Sequence, residues 1–563
     1  MAIKKHKHLL IFIALAFVLY VVPLTLFPQC LAHDLAVHLN RIHSISDNLR
    51  QGKLFFPISQ TLLNNYGYAF PLFYGDLFLY PLAFLVLLGV SDKTVVSVSM
   101  YSCAFLTLLS SYYAGTKLFK DRSSSFAFTI LYTFSSYLSV NYYTRYALGE
   151  MLAAIFLPLV LLGFWSIFYD DKKHWFFLPL GLSGIMYSHN LSAIITVLIL
   201  FAAAIINIRK VLKDTQIIKY LFISVFVFFC LTAAFIFPMI EQLLSTQFLS
   251  TTNQSSTYFG TLIESSMPTS WVFNDFILFK DLTNSYLNWI PNGIGLFPII
   301  TIVFALFVFK TKNRMFYFIY LAGMFFLFAT TRRFPWDALQ NVFGIIQFPW
   351  RLMLYATLFM AISSSIHIKE RKNKTFVLLV CLASLFSFVM ASYRKYERNY
   401  KVYMSGYDYK YEYSNQIGTG EYLPAYKNEN GEYEDCDEIL SYLKSRGDVI
   451  TSNNLKSQQM DFVRNNGEII VEYKNNNKDD TYIEVPLLLY KGYKAYDTKN
   501  GAELKITYGD HNIVRVYLDD INGSFVVKYQ RTPIQIIFLS LSMTTSAVLV
   551  ILHFLKNKKL KMI

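Results

Sequence analysis

Charge is scarce in this sequence. Of 563 residues only 16% are Asp, Glu, Lys or Arg, against about 25% in an average soluble protein. Cysteine is scarcer still, with Cys30, Cys103, Cys230, Cys381 and Cys436 the whole complement. Five scattered thiols, with no CxxC and no Cys/His zinc spacing, exclude a disulfide framework. No internal repeat is visible. The first apolar run, Leu9 to Phe27, follows a basic start and is succeeded by Pro28-Gln29-Cys30-Leu31-Ala32. That stretch lacks an A-x-A cleavage site, so the run reads as a retained span rather than a signal peptide.

Apolar residues are abundant: 54% of the chain is hydrophobic and 17% aromatic. The formal charge is +14, from 51 Lys+Arg against 37 Asp+Glu, and its placement decides what it means. Residues 393–532 hold 19 basic and 22 acidic residues, a net of −3, which leaves +17 for the apolar remainder. The positive charge sits in short clusters between hydrophobic runs. A polytopic membrane protein has this pattern, and a nucleic-acid binder does not.

A membrane crossing needs about 20 apolar helical residues. Runs that approach this are 9–28, 94–115, 125–141, 149–169, 175–188, 190–208, 217–240, 293–309, 315–330, 351–368, 375–392 and 533–555. A shorter stretch, 77–90, is placed by the positive-inside rule. If it does not cross, the basic N-terminus and the clusters Lys117/Lys120/Arg122, Lys172/Lys173, Arg209/Lys210/Lys213, Lys310/Lys312/Arg314, Lys369/Arg371/Lys372/Lys374 and Lys556/Lys558/Lys559/Lys561 share the cytoplasmic side. One basic pair, Arg332-Arg333, then falls outside and counts against this arrangement. The expectation is twelve spans in a bacterial plasma membrane, both termini cytoplasmic, with 77–90 a helix lying in the outer face. Residues 1–392 form a multi-span membrane domain with a first outer loop 29–93. Residues 393–532 form an extracytoplasmic β-rich domain, and 533–563 the last span and basic tail. Strand-like alternation over 468–473, 482–487, 504–508, 513–517 and 524–529, broken by turn-rich segments, points to a β-sandwich.

Several ionisable residues are left over by this membrane reading. In His33-Asp34-Leu-Ala-Val-His38-Leu-Asn-Arg41, Asp34, His38 and Arg41 share one face if the segment is helical. Leu35, Leu39 and Ile42 make a second stripe, expected to lie on the membrane. A plain alternative is a capped helix start with ordinary interface anchors. Arg145-Tyr-Ala-Leu-Gly149-Glu150 puts an acid and a base at a span mouth, as a structural ion pair or as part of a site. Tyr187-Ser188-His189-Asn190 joins two apolar runs, where a packing role competes with a ligand role. In Gln347-Phe-Pro-Trp-Arg351 the arginine enters an apolar helix, where it needs a carboxylate or an anion. Taken together these groups suit transfer from an anionic leaving group. Arginine grips phosphate, and a carboxylate accepts the proton of an attacking hydroxyl.

Six motifs in order carry a resemblance that spans nearly the whole chain. They are His33-Asp34, Gly67-Tyr-Ala-Phe-Pro71-Leu-Phe-Tyr74-Gly75-Asp76-Leu77, Arg145 to Glu150, Ser188-His189-Asn190, Gln347 to Arg351, and Gly420-Glu421-Tyr-Leu-Pro424. They resemble the bacterial membrane family called 6-pyruvoyl-tetrahydropterin synthase-related, itself similar to YfhO-type membrane proteins. Nothing in the chain looks like the soluble pterin enzyme of that name. Such proteins resemble the GT-C class of integral-membrane glycosyltransferases, which use a sugar on a polyprenyl phosphate as donor. The resemblance implies Asp34 as general base, with Asp76 its competitor, and Arg351, with Arg145 or His189, as holders of the donor phosphate. Glu150 would orient Arg145 or serve as a second catalytic carboxylate. His33, His38, Arg41 and Asn190 would line the substrate site. No cofactor is firmly implied, although His33, Asp34 and His38 offer donors to a divalent metal. Where GT-C enzymes often carry paired acids, this chain has His33-Asp34.

The expected function is transfer of a lipid-linked sugar to a cell-envelope polymer or glycolipid. The competing readings are a transporter or flippase of a lipid-linked precursor, and a non-catalytic envelope-assembly protein. In the last, tyrosines such as Tyr400, Tyr403, Tyr407, Tyr409, Tyr411 and Tyr413 either stack on sugar rings or simply favour strands.

Overall fold

A computed structural model describes residues 7–26, 32–252, 260–269, 293–307, 314–404, 417–475, 481–518 and 522–561. Cys30, Lys310, Lys312 and much of the 241–292 loop lie outside the described residues, as do the side chains of the tyrosines from Tyr400 to Tyr413 and the tail lysines. The chain divides into two compact units. One comprises Met1–Ala36, Val90–Phe228 and Phe259–Lys410; the other comprises Val37–Gly89, Phe229–Tyr258 and Tyr411–Ile563. Residues 37–89 of the first outer loop thus belong with the sheets, while 29–36 and 90–93 stay with the helical unit, and the expected boundary at 393 falls inside a helix, Lys374–Met404.

Among the described residues six helices are long and apolar enough to cross a membrane: Asp92–Phe119, Leu148–Tyr169, Thr215–Leu243, Pro349–Arg371, Lys374–Tyr393 and Pro533–Leu555. Six further apolar helices are shorter, including Leu10–Thr25, Asn190–Ile206 and Leu77–Leu87. The chain therefore has helices compatible with membrane insertion and a separate β-sheet part.

In the helical unit Leu148–Tyr169 packs against Asp92–Phe119 and Phe177–Met186. Glycine permits the second contact. A Cβ on Gly163 would stand 2.2 Å from the backbone nitrogen of Leu178, and one on Gly184 would stand 2.5 Å from the Phe156 ring. Small residues let helices approach in this way. The run expected as one span over 125–141 is not a single helix. Arg122–Thr133 ends at Phe134, a short turn Ser136–Ser139 follows, and Val140–Arg145 is a π-helix. Apolar surroundings force the freed backbone groups to find partners. Ser384 Oγ donates to Phe134 O at 2.8 Å, and Ser135 Oγ accepts from Leu138 N at 3.4 Å. A second π segment, Phe17–Val21, is served likewise by Tyr143, whose hydroxyl donates to Leu19 O at 2.7 Å.

Among the described residues the other unit holds two antiparallel sheets over nine strands. Strands β1 (Thr451–Ser452), β4 (Tyr482–Leu488), β8 (Ile513–Tyr517) and β7 (Ile506–Tyr508) form one, in the order β1-β4-β8-β7. Strands β2 (Met460–Asn465), β3 (Glu468–Lys474), β9 (Asn522–Tyr529), β5 (Tyr493–Asp497) and β6 (Glu503–Leu504) form the other, in the order β2-β3-β9-β5-β6. The β2–β3 hairpin turns on Asn466-Gly467, both at positive φ, as a two-residue hairpin turn requires. Ile469, Val471, Ile483, Val485, Val514, Val516, Phe525 and Val527 feed one core shared by both sheets. Ile58, Leu62, Tyr66, Tyr68, Phe70 and Phe73 enter the same core. Tyr66 O accepts from Leu488 N at 2.9 Å, which ties this part of the first loop to β4.

Helix Leu35–Arg50 departs from expectation in one respect. Leu35, Leu39 and Ile42 are 1%, 1% and 0% exposed, so the stripe assigned to the membrane is buried in protein instead. Apolar spacing marks a face that leaves water, and it does not say whether lipid or protein covers it.

Candidate functional site

The helical unit builds its charged cluster at the break after Phe134. The π-helix ends on Arg145, Tyr146 turns in the left-handed region at φ 51°, and Leu148 begins the next helix. A bulky residue adopts that φ at a cost, and Tyr146 is held there, fully buried, with its hydroxyl 2.7 Å from Ser99 Oγ. This corner sets Arg145 against Glu150, in the first turn of Leu148–Tyr169. Arg145 Nη1 lies 2.8 Å from Glu150 Oε1, and Arg145 Nη2 lies 3.4 Å from Asp34 Oδ2. Asp34 N donates to Arg145 O at 2.8 Å, and His33 N donates to Thr144 O at 3.4 Å. Arg351 Nε stands 3.4 Å from Glu150 Oε1.

Burying such charges costs several kcal/mol per ion unless they are paired and hydrogen-bonded. Glu150, 3% exposed at its side chain, is the hub. Its Oε2 accepts from the Tyr137 hydroxyl at 2.7 Å and from Asn141 Nδ2 at 3.2 Å. Asn141 Oδ1 in turn accepts from Arg145 Nη1 at 3.3 Å. With two arginines, a tyrosine and an asparagine on one carboxylate, Glu150 is saturated and acts as an organiser. Arg351 Nη1 donates to Ile346 O at 3.0 Å and Gln347 Oε1 at 2.9 Å, while its Nη2 has no hydrogen-bond partner among the described residues. Gln347 itself sits at φ 60°, ψ −54°, a strained conformation.

Asp34 is the open member, its side chain 38% exposed. Burial of its surroundings pushes its carboxyl above the usual value, against the opposing pull of Arg145. Burial also works against the Arg145 charge, but Glu150 and Asp34 outweigh it and hold the guanidinium firmly protonated. Two carboxylates face two guanidiniums, so the cluster is formally neutral. It offers one carboxylate able to take a proton and one arginine nitrogen able to meet an anion.

His189 is placed as a helix cap. Its Nδ1 accepts from Ser192 N at 3.2 Å at the start of Asn190–Ile206. It lies within electrostatic range of Glu150. Asn190 is the first residue of that helix.

His38, Arg41 and Asp76 belong to the β-bearing unit and do different work. Arg41, 3% exposed, donates through Nη2 to Gly75 O at 2.7 Å and Tyr74 O at 3.2 Å. Its guanidinium stacks 3.8 Å from the Tyr74 ring centroid, and its Nη1 is 3.4 Å from His38 Nδ1. Arg41 thereby fixes the 74–76 bend. Burial raises the Asp76 carboxyl to about 6 against the pull of Arg41. The face expected to present Asp34, His38 and Arg41 together is thus divided, with Asp34 directed to Arg145 and Arg41 to backbone carbonyls. Among the described residues no three His, Cys, Asp or Glu side chains gather as a metal site.

Tyr137 and Asn141 are site residues that sequence reasoning missed, whereas Gln347 stood at the head of a named motif without a role of its own. An asparagine within the apolar run 125–141 was the available signal for the first two.

No family model matches the chain. A protein of Lactococcus lactis subsp. cremoris (strain MG1363), described as an uncharacterized protein, is 25% identical over 528 residues, covering 84% of this chain and 83% of its own. The likeness extends across most of both lengths and carries no activity with it.

Proposed function

We propose that the protein is a membrane glycosyltransferase of the GT-C kind, akin to the 6-pyruvoyl-tetrahydropterin synthase-related and YfhO-like proteins. It moves a sugar from a polyprenyl-phosphate carrier to an envelope polymer or glycolipid. On this reading twelve segments cross the plasma membrane, the basic clusters and both termini face the cytoplasm, and the β sheets lie outside. One observation carries the proposal: an accessible carboxylate, Asp34, held beside a buried Arg145–Glu150–Arg351 network.

The chemistry is a single displacement. The acceptor oxygen attacks the anomeric carbon as the carbon–oxygen bond to phosphate breaks. The leaving phosphate keeps the electron pair, Asp34 takes the hydroxyl proton, and the configuration inverts. Arg351, through its open Nη2, meets the phosphate. Arg145 is committed to Glu150 and Asp34, so it positions the base rather than gripping the donor. Loss of a general base costs typically 10²–10⁴-fold. In an envelope glycan analysis, Asp34→Asn should abolish decoration while the protein inserts and accumulates at wild-type level. Wild-type decoration by that variant would overturn Asp34 as base, and normal behaviour of Arg351→Gln as well would turn the reading to envelope assembly. Asp76, raised to about 6, is the second candidate base, and an Asp76→Asn strain tests it in the same assay.

A further inference from the structure

We propose that Leu54 and Phe55 form a membrane-dipping tip, entering the lipid headgroup–acyl boundary beside the start of helix Pro533–Lys561. The proposal rests on that helix crossing a membrane and on nothing about sugar transfer. Scattered exposed apolar residues are ordinary on protein surfaces, so exposure alone decides nothing. Three further observations, all within the β-bearing unit, give this pair its meaning.

The first is position. Arg531 Nη2 donates to Leu54 O at 2.7 Å and to Phe55 O at 2.9 Å. Arg531 stands two residues before Pro533, where the apolar helix begins, and Ile536 and Ile537 in its opening turns are 53% and 60% exposed. The tip is therefore pinned at the level where the chain enters its last apolar helix.

The second is continuity. Phe55 N donates to Tyr80 Oη at 3.0 Å, and the two rings lie 5.0 Å apart. Tyr80 opens the short apolar helix Tyr80–Leu87, where Phe84 is 53% exposed and the following Leu88 is 65% exposed. Eight residues span about 12 Å, too little to cross a bilayer core of about 30 Å. The tip and this helix make one apolar rim flanking the transmembrane entry, the arrangement of an interfacial segment whose apolar face sinks about 5–10 Å.

The third is backbone strain. Phe55 adopts φ 53°, a region that favours Gly or Asn and that a bulky side chain enters at a cost. The Tyr80 and Arg531 hydrogen bonds hold that backbone, yet Leu54 stays 54% exposed and Phe55 38% exposed. Lipid contact gives the aromatic ring a reason to be there.

The test uses the full chain in phosphatidylcholine–phosphatidylglycerol vesicles, with a nitroxide label on Leu54→Cys and collision rates measured for oxygen and for a water-soluble nickel chelate. Val463→Cys on β2, at a position 62% exposed, is the aqueous reference, and Val548→Cys, 47% exposed within Pro533–Leu555, is the lipid reference. The unsubstituted chain gives the background from its own thiols. The Leu54 label should follow the Val548 label, with oxygen collisions dominant by several-fold and little access to nickel. Nickel access equal to that at Val463, with Val548 reporting lipid, would overturn the tip. Nickel access at Val548 itself would overturn the membrane reading, and the tip with it.

Discussion

Two buried arginines, one in each unit, show how the same side chain can serve different ends. Arg145 faces carboxylates, with Glu150 at 2.8 Å and Asp34 at 3.4 Å, whereas Arg41 faces the backbone carbonyls of Gly75 and Tyr74 and a stacked tyrosine ring. Pairing with carbonyls fixes a bend, with His38 Nδ1 3.4 Å away and Asp76 within electrostatic range. Pairing with two carboxylates, one closed and one open, leaves Asp34 able to change its protonation while Glu150 keeps the geometry. The difference separates an arginine that fixes backbone from one that holds an accessible carboxylate.

The largest test of this contrast is Glu150→Ala. Removing the hub strands Arg145 and Arg351, and breaking a buried pair costs about 3–5 kcal/mol. A strongly lowered thermal midpoint in detergent is expected, and an unchanged midpoint would show the network to be slack. Arg41→Met should cost less, about 2–3 kcal/mol for its charged hydrogen bonds. It should expose the 74–76 bend to proteolysis and, if Asp34 is the base, spare decoration. Tyr137→Phe removes one bond to a charged group and should cost about 1.5 kcal/mol, read from the same melting curves.

Asp34→Asn should have the smallest effect on stability, about 1 kcal/mol or less for a pair 38% exposed on one side. Its sign depends on pH. Burial raises the Asp34 carboxyl above its ordinary value, so the folded chain holds that proton more tightly than the unfolded one does. The carboxyl's effect on stability is therefore neutral below both values and becomes a penalty as pH rises from about 4 through the folded value. Asn substitution should flatten that part of a melting-versus-pH curve. If Asp34 is the base, the acid limb of decoration activity should also lie above the ordinary carboxylate range.

The β strands were legible where alternation and turn chemistry agreed. The stretches expected at 468–473, 482–487, 513–517 and 524–529 appear as β3, β4, β8 and β9 within one or two residues, and 504–508 is divided into β6 and β7. Tyr493–Asp497 alternates just as cleanly, with Tyr493, Ala495 and Asp497 buried, and was equally legible. So was helix Cys436–Arg446, signalled by a capping box between Asp435 and Glu438 and a stop at Gly447. The charged cluster was only half legible. Asp34, Arg145, Glu150 and Arg351 stand out as charges in apolar context, but Tyr137 and Asn141 look like ordinary members of a span until the helix breaks at Phe134.

Composition and pattern alone determined that this chain has apolar helices compatible with a membrane and a polar, strand-rich part, because hydrophobic run length and alternation are local properties. Tertiary structure decided which charges meet. Asp34 and Arg145 are separated by 111 positions, and no local rule says that a π-turn and a left-handed tyrosine will swing one toward the other. It also decided that Leu35, Leu39 and Ile42 are covered by protein, since an apolar face records only that it must leave water.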